Sequence, residues 1–219
     1  MQAEKKITIA VDGPAASGKG TLAKVLAKRY NLAHLDTGLL YRAVAAKIMK
    51  NSGNVEDENL AILAARRLEI QDLVAPELRE EFVGRLASII ALKPAVREAL
   101  LDFQRSFARF PGGPAAGAIL DGRDIGSVVL PNADIKIFVT ATIEVRAERR
   151  YRELRERGVS SIRAEVLHQM RERDERDRYR KVAPLVPADG AQLLDTTYLD
   201  ADAAFEAACK IVAASWAGS

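Results

Sequence analysis

The segment ITIAVDGPAASGKGT, residues 7–21, holds the most informative pattern in this chain. The stretch Lys6–Val11, which leads into the loop, is mainly apolar and predicts a buried strand. The spacing G-x4-G-K follows from Gly13 to Lys19, and a helical pattern over Gly18–Tyr30 begins inside it. A glycine-rich turn between strand and helix lets backbone N–H groups and a helix N-terminus surround a phosphate, whose charge a lysine neutralises. The segment therefore predicts a phosphate-binding loop.

The residue after the lysine departs from the commonest form of this loop. Gly20 stands where Ser or Thr is usual, and Thr21 follows it. This Gly-Thr form resembles the loop of nucleoside monophosphate kinases. A magnesium ion beside the phosphates could then take a hydroxyl from Ser17 or Thr21, or a water molecule, and the sequence leaves these alternatives open.

Strand and helix patterns alternate on both sides of a central segment. Apolar strands separated by helices predict a parallel sheet that is covered on both faces, an α/β fold with three layers and about five strands. The further predicted strands are 32–35, 118–121, 135–140 and 192–194. The further predicted helices are 37–49, 143–157, 163–180 and 201–214.

The central segment has a different pattern. Residues 55–110 show helical periodicity and almost no strand signal, which predicts a helical insert. The remaining residues, 1–54 and 111–219, would form the core domain. An arginine-rich stretch at about 158–183 would form a helical lid within that core.

Composition excludes several classes of protein. The chain of 219 residues has a net charge of +3, one cysteine (Cys209) and two histidines, so an intramolecular disulfide and a Cys/His zinc site are excluded. No apolar run approaches the ~18 residues of a membrane span, so a cytoplasmic location and no membrane partner are expected. Basic residues are interleaved with acidic ones, which argues against a nucleic-acid partner. A nucleotide-dependent switch or nucleic-acid-binding module is kept as an alternative.

A second phosphate site is predicted after the second strand. In Asp36-Thr37-Gly38, Thr37 is expected to be the N-cap of the next helix, and Arg42 lies about one turn further along. Parallel strands end at one edge of a sheet, so this loop should lie beside the phosphate loop. The alternative is an ordinary capped helix with a solvated arginine.

The third predicted strand ends in a carboxylate. Asp121 closes the apolar run 118–121 and is followed by Gly122, Arg123 and Asp124. A carboxylate at a strand end can hold water around Mg²⁺, and Arg123 in the turn can face the same phosphates. A tight turn with a local ion pair is the alternative interpretation.

The lid segment carries charges at helical spacing. Arg173, Asp177 and Arg180 are spaced i, i+4 and i+7, so they would share one helical face. A solvated face of ion pairs would explain the same pattern. The abundance of arginine near a phosphate site favours a lid that closes over a polyanion.

Four motifs, taken in order, resemble the bacterial cytidylate kinase family of P-loop nucleoside monophosphate kinases. They are GPAASGKGT, HLDTGLLYRA, ILDGRDIGSVV and RERDERDRYRKVAPLVPA. The resemblance implies the fold of that group and transfer of the γ-phosphoryl group of ATP to CMP or dCMP, with Mg²⁺. The alternative is a kinase for another small acceptor, such as UMP, AMP or shikimate. The segment Leu68–Leu86 is shorter than the corresponding segment of the family.

The resemblance also implies roles for individual residues. The phosphates of ATP would be bound by Gly13, Pro14, Ala15, Ala16, Ser17, Gly18, Lys19, Gly20 and Thr21. The acceptor phosphate would be surrounded by Thr37, Arg42 and Arg123, the cytosine by Ser88, Arg97 and Asp124, and the sugar by Arg173 and Asp177. Arg180 would reach the phosphates as the lid closes. The residues expected to act in catalysis are Lys19, Arg123, Arg173 and Arg180.

Chemical complementarity supports the choice of base. Cytosine presents an amino donor where uracil presents a carbonyl acceptor, so the carboxylate of Asp124 would favour cytosine. Because a phosphate acceptor is already anionic at neutral pH, no general base is needed. The sequence shows no long exposed apolar heptad, and a monomer is expected.

Overall fold

The computed structural model describes residues 6–216, which contain one sheet of five strands. Every pairing in the sheet is parallel, and the spatial order is β2-β3-β1-β4-β5. The predicted parallel α/β architecture is confirmed. The strands are β1 (Ile7–Asp12), β2 (Leu32–Asp36), β3 (Gly117–Gly122), β4 (Ile135–Thr140) and β5 (Gln192–Asp195).

Helices follow the strands and fill the central segment. They are α1 (Lys19–Tyr30), α2 (Thr37–Lys50), α3 (Glu58–Arg66), α4 (Glu81–Ile90), α5 (Pro94–Arg109), α6 (Ile143–Glu156), α7 (Arg163–Tyr179) and α8 (Ala201–Trp216). Two 3₁₀ turns, Ile70–Val74 and Pro76–Arg79, precede α4, and a π-helical turn, Ile125–Val129, follows β3.

The sheet separates two apolar cores, because successive side chains of a strand point to opposite faces. On one face, Ile9 and Val11 of β1 pack with residues of α1 and α8. On the other face, Ala10 of β1 and Leu120 of β3 pack with residues of α2, α3, α4 and α5. This is the three-layer arrangement that the strand pattern predicts.

The prediction that Thr37 caps α2 is wrong. The N-cap is Asp36, whose carboxylate accepts a hydrogen bond from the Gly38 N–H at 2.9 Å. Strand β2 extends through Asp36, so Thr37 becomes the first helical residue. Its hydroxyl donates to the Asp121 carbonyl oxygen at 2.8 Å, and the missing side chain of Gly122 leaves room for it. Thr37 therefore ties α2 to the end of β3.

The central segment folds as helices and 3₁₀ turns. The three helices α3, α4 and α5 share a core with α2, to which Leu78, Val83 and Leu100 contribute buried side chains. The short segment 68–86 forms the two 3₁₀ turns and the start of α4. Among the described residues, no helix is long and apolar enough to cross a membrane.

Candidate active site

A cavity of about 490 Å³ lies at the edge of the sheet where β1, β2 and β3 end. Asp36 and Asp121, at the ends of β2 and β3, contribute to its wall. Many of the residues predicted from the sequence line this one cavity. They are Ala15, Ala16, Gly18, Lys19, Gly20, Thr21, Arg42, Ser88, Asp121, Arg123 and Arg173.

A more open groove of about 570 Å³ lies at the opposite edge of the sheet, near Lys6, Arg105 and Asn132. It lies where the strands begin, away from the phosphate loop and from α7. In open parallel sheets ligands bind at the carboxyl ends of strands, so the cavity at that edge is the candidate active site.

The phosphate loop has the backbone conformation that its glycines allow. Gly13 and Gly18 have positive φ angles, as does Ala16. The α1 N-terminus at Gly18 has no side-chain cap, so its first N–H groups are available to an anion. The hydroxyl of Ser17 is buried and has no hydrogen-bond partner in the structure. Gly13, Pro14 and Ser17 are buried and do not line the cavity.

Lys19 projects from the first turn of α1 into this cavity. Burial lowers the pKa of Lys19 to about 7, and the positive charge of Arg123 adds to this effect. The carboxylates of Asp36 and Asp121 act in the opposite direction. A phosphate beside Lys19 would restore its charged form, since an anion stabilises an ammonium group.

Asp121 has a partner that sequence reasoning missed. The Nε2 atom of His34 lies 2.7 Å from Oδ2 of Asp121, and the carboxylate is almost fully buried. His34 and Asp36 are two residues apart on β2, and alternation along the strand therefore puts them on one face. A histidine two residues before the strand-end Asp36 was the available signal. It can be interpreted only once β2 is known to pair with β3, the strand that carries Asp121.

Two of the three residues predicted to surround the acceptor phosphate, Arg42 and Arg123, line the cavity. Arg42 donates from Nη1 to the carbonyl oxygens of Leu78 and Glu80, at 2.7 and 3.2 Å. Its guanidinium occupies the space where a side chain at Gly84 would lie. Arg123 donates from Nε to Oδ2 of Asp177 at 2.8 Å. Thr37, the third residue predicted here, is buried and does not line the cavity.

The residues predicted to contact the base and sugar are only partly in the cavity. Ser88 lines it, whereas Arg97, Asp124, Asp177 and Arg180 form a buried cluster beside it. Asp124 pairs with Arg97, and its Oδ1 lies 3.4 Å from Nη2 of Arg180. Burial would raise the pKa of Asp177, but Arg123 and Arg173 together lower it below the usual value.

Tyr41 belongs to the same cluster and was not predicted. The guanidinium carbon of Arg97 lies 5.6 Å from the centre of its ring. Burial raises the pKa of Tyr41 to about 12, so its hydroxyl stays protonated at neutral pH. Tyr41 precedes Arg42 in the sequence, but an aromatic residue next to a cation carries no specific signal.

Helix α7, which lies within the predicted lid, brings further cations to the cavity. Arg173 and Arg176 line it, and the Nε atom of each is buried without a hydrogen-bond partner. Burial and the nearby Arg123 lower the pKa of Arg173 to about 10. From α6, Arg150 also lines the cavity and pairs with Glu81 of α4. Arg150 and Arg176 were missed because they lie within arginine-rich runs that ion pairing alone would explain.

The comparisons with known proteins give one consistent result. Residues 9–214 match the family model described as cytidylate kinase. The cytidylate kinase of Paramagnetospirillum magneticum is 56% identical over 93% of this chain and 96% of its own length. That of Xanthobacter autotrophicus is 54% identical over 97% of this chain and all of its own length.

One solved structure supports the fold. An uncharacterized protein from Eubacterium ventriosum superposes with a TM-score of 0.52 over 96% of this chain and 99% of its own, at 18% identity. The family and sequence matches confirm the resemblance inferred from the four motifs, and they do not favour UMP, AMP or shikimate as the acceptor. On these matches and on the phosphate-loop cavity described above, the chain belongs to the cytidylate kinase family.

Proposed function

We propose that this chain transfers the γ-phosphoryl group of ATP to CMP or dCMP, giving ADP and CDP or dCDP. The observation that carries the proposal is the position of Lys19, Arg42, Arg123 and Arg173 around one cavity. A phosphate loop on one side and arginines on the other can hold a donor and an acceptor phosphate in line. Positioning and charge neutralisation are what phosphoryl transfer chiefly requires.

On the donor side, the loop Gly13–Thr21 would bind the ATP phosphates. Its backbone N–H groups and the uncapped N-terminus of α1 supply hydrogen-bond donors. Lys19, Arg123, Arg173 and Arg180 would neutralise the charge that builds up on the transferred group. The acceptor phosphate is itself the nucleophile, so no histidine or carboxylate base is assigned.

The residues near the loop fit a magnesium ion. Ser17 has a buried hydroxyl without a partner, Thr21 lines the cavity, and Asp121 supplies a carboxylate. Within residues 6–216 no group of three His, Cys, Asp or Glu side chains could hold a metal alone. Mg²⁺ typically binds through one or two carboxylates together with nucleotide phosphates and water. When bound, it would neutralise charge on the ATP phosphates.

On the acceptor side, Thr37, Arg42 and Arg123 would surround the phosphate of CMP. Ser88, Arg97 and Asp124 would face the cytosine, and Arg173 and Asp177 the sugar. For this, Asp124 and Asp177 would exchange some of their contacts with Arg180 and Arg123 for nucleotide groups. We therefore propose that residues 158–183 move as a lid and that 55–110 form the acceptor-binding insert, on a core of 1–54 and 111–219.

We also propose that the enzyme is a monomer, acts in the cytoplasm and has no nucleic-acid partner. The absence of a long exposed apolar heptad in the sequence supports the first point, the single cysteine the second, and the interleaved charges of residues 144–181 the third. Sedimentation of the purified protein tests the first point. A steep loss of polynucleotide affinity with rising salt would contradict the last, since it would indicate several phosphate contacts.

The proposed reaction is tested by ADP release with ATP and Mg²⁺, comparing CMP, dCMP, UMP, AMP and no acceptor. We expect turnover with CMP and dCMP to exceed the other conditions. Lys19→Ala should abolish turnover with every acceptor. ATP hydrolysis that does not depend on an acceptor would refute a nucleotide kinase and favour the nucleotide-dependent switch.

The role of Asp124 is tested by Asp124→Asn. A matched hydrogen-bond contact discriminates between bases by ~1–3 kcal/mol, so we expect the ratio of kcat/KM for CMP over UMP to fall roughly 5- to 150-fold. Asp102→Asn, an exposed change on the same helix as Arg97, should leave the ratio unchanged. An unaltered ratio in Asp124→Asn would remove this carboxylate from base recognition.

A further inference from the structure

The lid helix α7 is held by apolar contacts only in its first half. Val166 and Met170 are buried there, and they belong to an apolar cluster with Ala147 and Leu154 of α6. Ala15 and Ala16 of the phosphate loop pack against the same cluster. From Arg171 to Tyr179, the only large apolar side chain is Tyr179, which is exposed. Polar contacts must therefore position the second half, which carries Arg173.

Arg146 of α6 provides the most extensive of these polar contacts. Its Nη1 and Nη2 donate to the two carboxylate oxygens of Asp174, at 3.1 and 2.6 Å. Its Nε donates to the Ala141 carbonyl oxygen at 2.9 Å, and Nη1 also donates to that of Ala15 at 3.2 Å. Arg146 is only 5% exposed. One buried guanidinium thus joins the end of β4, the phosphate loop and the lid helix.

This geometry restricts how α7 can turn. A planar guanidinium that meets a carboxylate with two parallel hydrogen bonds fixes direction as well as distance. Asp174 directly follows Arg173 in the helix, so fixing one residue fixes the direction in which its neighbour projects. Arg173 needs such support, because it lies near Arg123 and the two cations repel each other.

The other ion pairs between this half and neighbouring segments are either exposed or assigned to the nucleotides. Arg171 and Glu144 lie 3.6 Å apart with both side chains exposed, and such a surface pair holds a helix only weakly. Asp177 pairs with Arg123, and Arg180 contacts Asp124. All four of these residues are assigned to the nucleotides under the proposed function. Asp174 does not line the cavity and is not assigned to a nucleotide, so its contact with Arg146 can remain as the point about which the lid helix turns.

We propose that Arg146 and Asp174 are positioning residues that anchor the lid helix to the phosphate loop and thereby direct Arg173 at the transferred phosphate. The inference rests on the proposed function for the role of Arg173. The anchor itself is a property of the contacts between α6, α7 and the loop. It makes the orientation of the lid helix depend on the same loop that binds ATP.

The test compares Asp174→Asn with Glu175→Gln, an exposed neutralising change one residue away. For both variants we measure the steady-state kinetics of phosphoryl transfer and, separately, the amide hydrogen exchange of residues 171–180 in the intact protein. Because a misplaced catalytic group can reduce the rate up to about 100-fold, we expect kcat to fall about tenfold in Asp174→Asn. The KM values for ATP and CMP should change less than about threefold, and exchange should be about fivefold faster. Glu175→Gln should match the wild type.

A second pair of variants tests whether the two residues act together. Arg146→Lys keeps the charge but cannot form the parallel hydrogen bonds, so kcat should fall as in Asp174→Asn. Combining both changes should be no worse than Arg146→Lys alone, because each removes the same contact. Independent, multiplicative losses would contradict a shared role.

Two results separate the anchor from the proposed function. Wild-type kcat and wild-type exchange in Asp174→Asn would overturn the anchor, whatever Arg173 does. Undiminished kcat in Arg173→Ala would overturn the assignment of Arg173 and with it the claim that the pair directs this residue. The exchange measurement would then still decide whether Arg146 and Asp174 hold the helix.

Discussion

Asp12, the last residue of β1, is a buried carboxylate that joins two loops of the active site. Its two oxygens each accept a backbone N–H at 2.7 Å, one from Ile125 and one from Gly126. Gly13 and the phosphate loop follow Asp12 directly, and Ile125 follows the Arg123-Asp124 turn. Asp12 thus sets the spacing between the phosphate loop and the Arg123-Asp124 turn, although the sequence analysis gave it no role.

We predict a pH-dependent contribution of Asp12 to stability. Burial raises the pKa of Asp12 to about 6, although the two N–H donors act in the opposite direction. Between about pH 4 and 6 the folded state keeps this proton, whereas the unfolded state has released it. The free energy of unfolding therefore falls as the pH rises through that window.

The comparison that isolates this contribution is Asp12→Asn against the wild type. Urea unfolding at several pH values should show the wild type losing stability relative to the variant from about pH 4 to 6. Above about pH 7 the difference should be constant. Parallel pH profiles for the two proteins would refute the raised pKa.

At the scale of elements, the phosphate loop is packed directly against β4. Gly13 has φ 151°, and a Cβ at this position would lie 2.0 Å from the Val139 carbonyl oxygen. Neither atom can move without displacing a strand. The loop can reach the end of β4 only because residue 13 has no side chain.

We predict that Gly13→Ala destabilises the protein by roughly 2–5 kcal/mol, from overpacking together with a strained backbone. Gly112→Ala separates the two causes, since Gly112 has φ 73° but nothing within 4 Å of an added Cβ. That control should cost only about 1 kcal/mol. Equal losses measured by denaturant unfolding would show that the contact with β4 is unimportant.

The same scale explains why the helix α2 begins where it does. Asp36 and Thr37 are both good N-cap residues, and local propensity does not choose between them. The choice follows from β3, which extends β2 by pairing through Asp36 and offers its Asp121 carbonyl oxygen to the Thr37 hydroxyl. A contact between residues 84 positions apart in the chain thus makes Asp36, and not Thr37, the N-cap.

At the scale of the whole molecule, nucleotide binding should stabilise the fold, because both nucleotides bind across several elements. A ligand at about one hundred times its Kd adds ~2.7 kcal/mol. For a chain of this size, each kcal/mol raises Tm by ~2–4 °C. We therefore predict that CMP and a non-hydrolysable ATP analogue each raise Tm by roughly 5–10 °C.

Thermal unfolding with each ligand alone and with both checks this prediction. Lys19→Ala should lose the shift produced by the ATP analogue and keep that produced by CMP, since Lys19 lies on the donor side. An equal shift with UMP would contradict the proposed selectivity for cytosine. Loss of both shifts in Lys19→Ala would mean that the two sites are not separate.

Local patterns were sufficient for the architecture and the family. The G-x4-G-K spacing predicts the phosphate-binding turn, and the apolar runs predict the strands. Helical periodicity predicts the helices that cover the sheet. Each of these patterns involves residues only a few positions apart, so it can be recognised in the sequence. The four motifs in order led to the cytidylate kinase family, which the family match confirms. The residue roles and the domain movements stay predictions.

The pairing of charges could not be read from the chain. His34 with Asp121, Arg146 with Asp174 and Asp124 with its two arginines join segments 27 or more residues apart. In the sequence each arginine has several acidic residues nearby, and local spacing does not favour one of them as its ion-pair partner. Strand order and helix packing determine which of these residues meet. Burial then makes the stability of the fold depend on that pairing, because an unpaired charge away from water costs free energy.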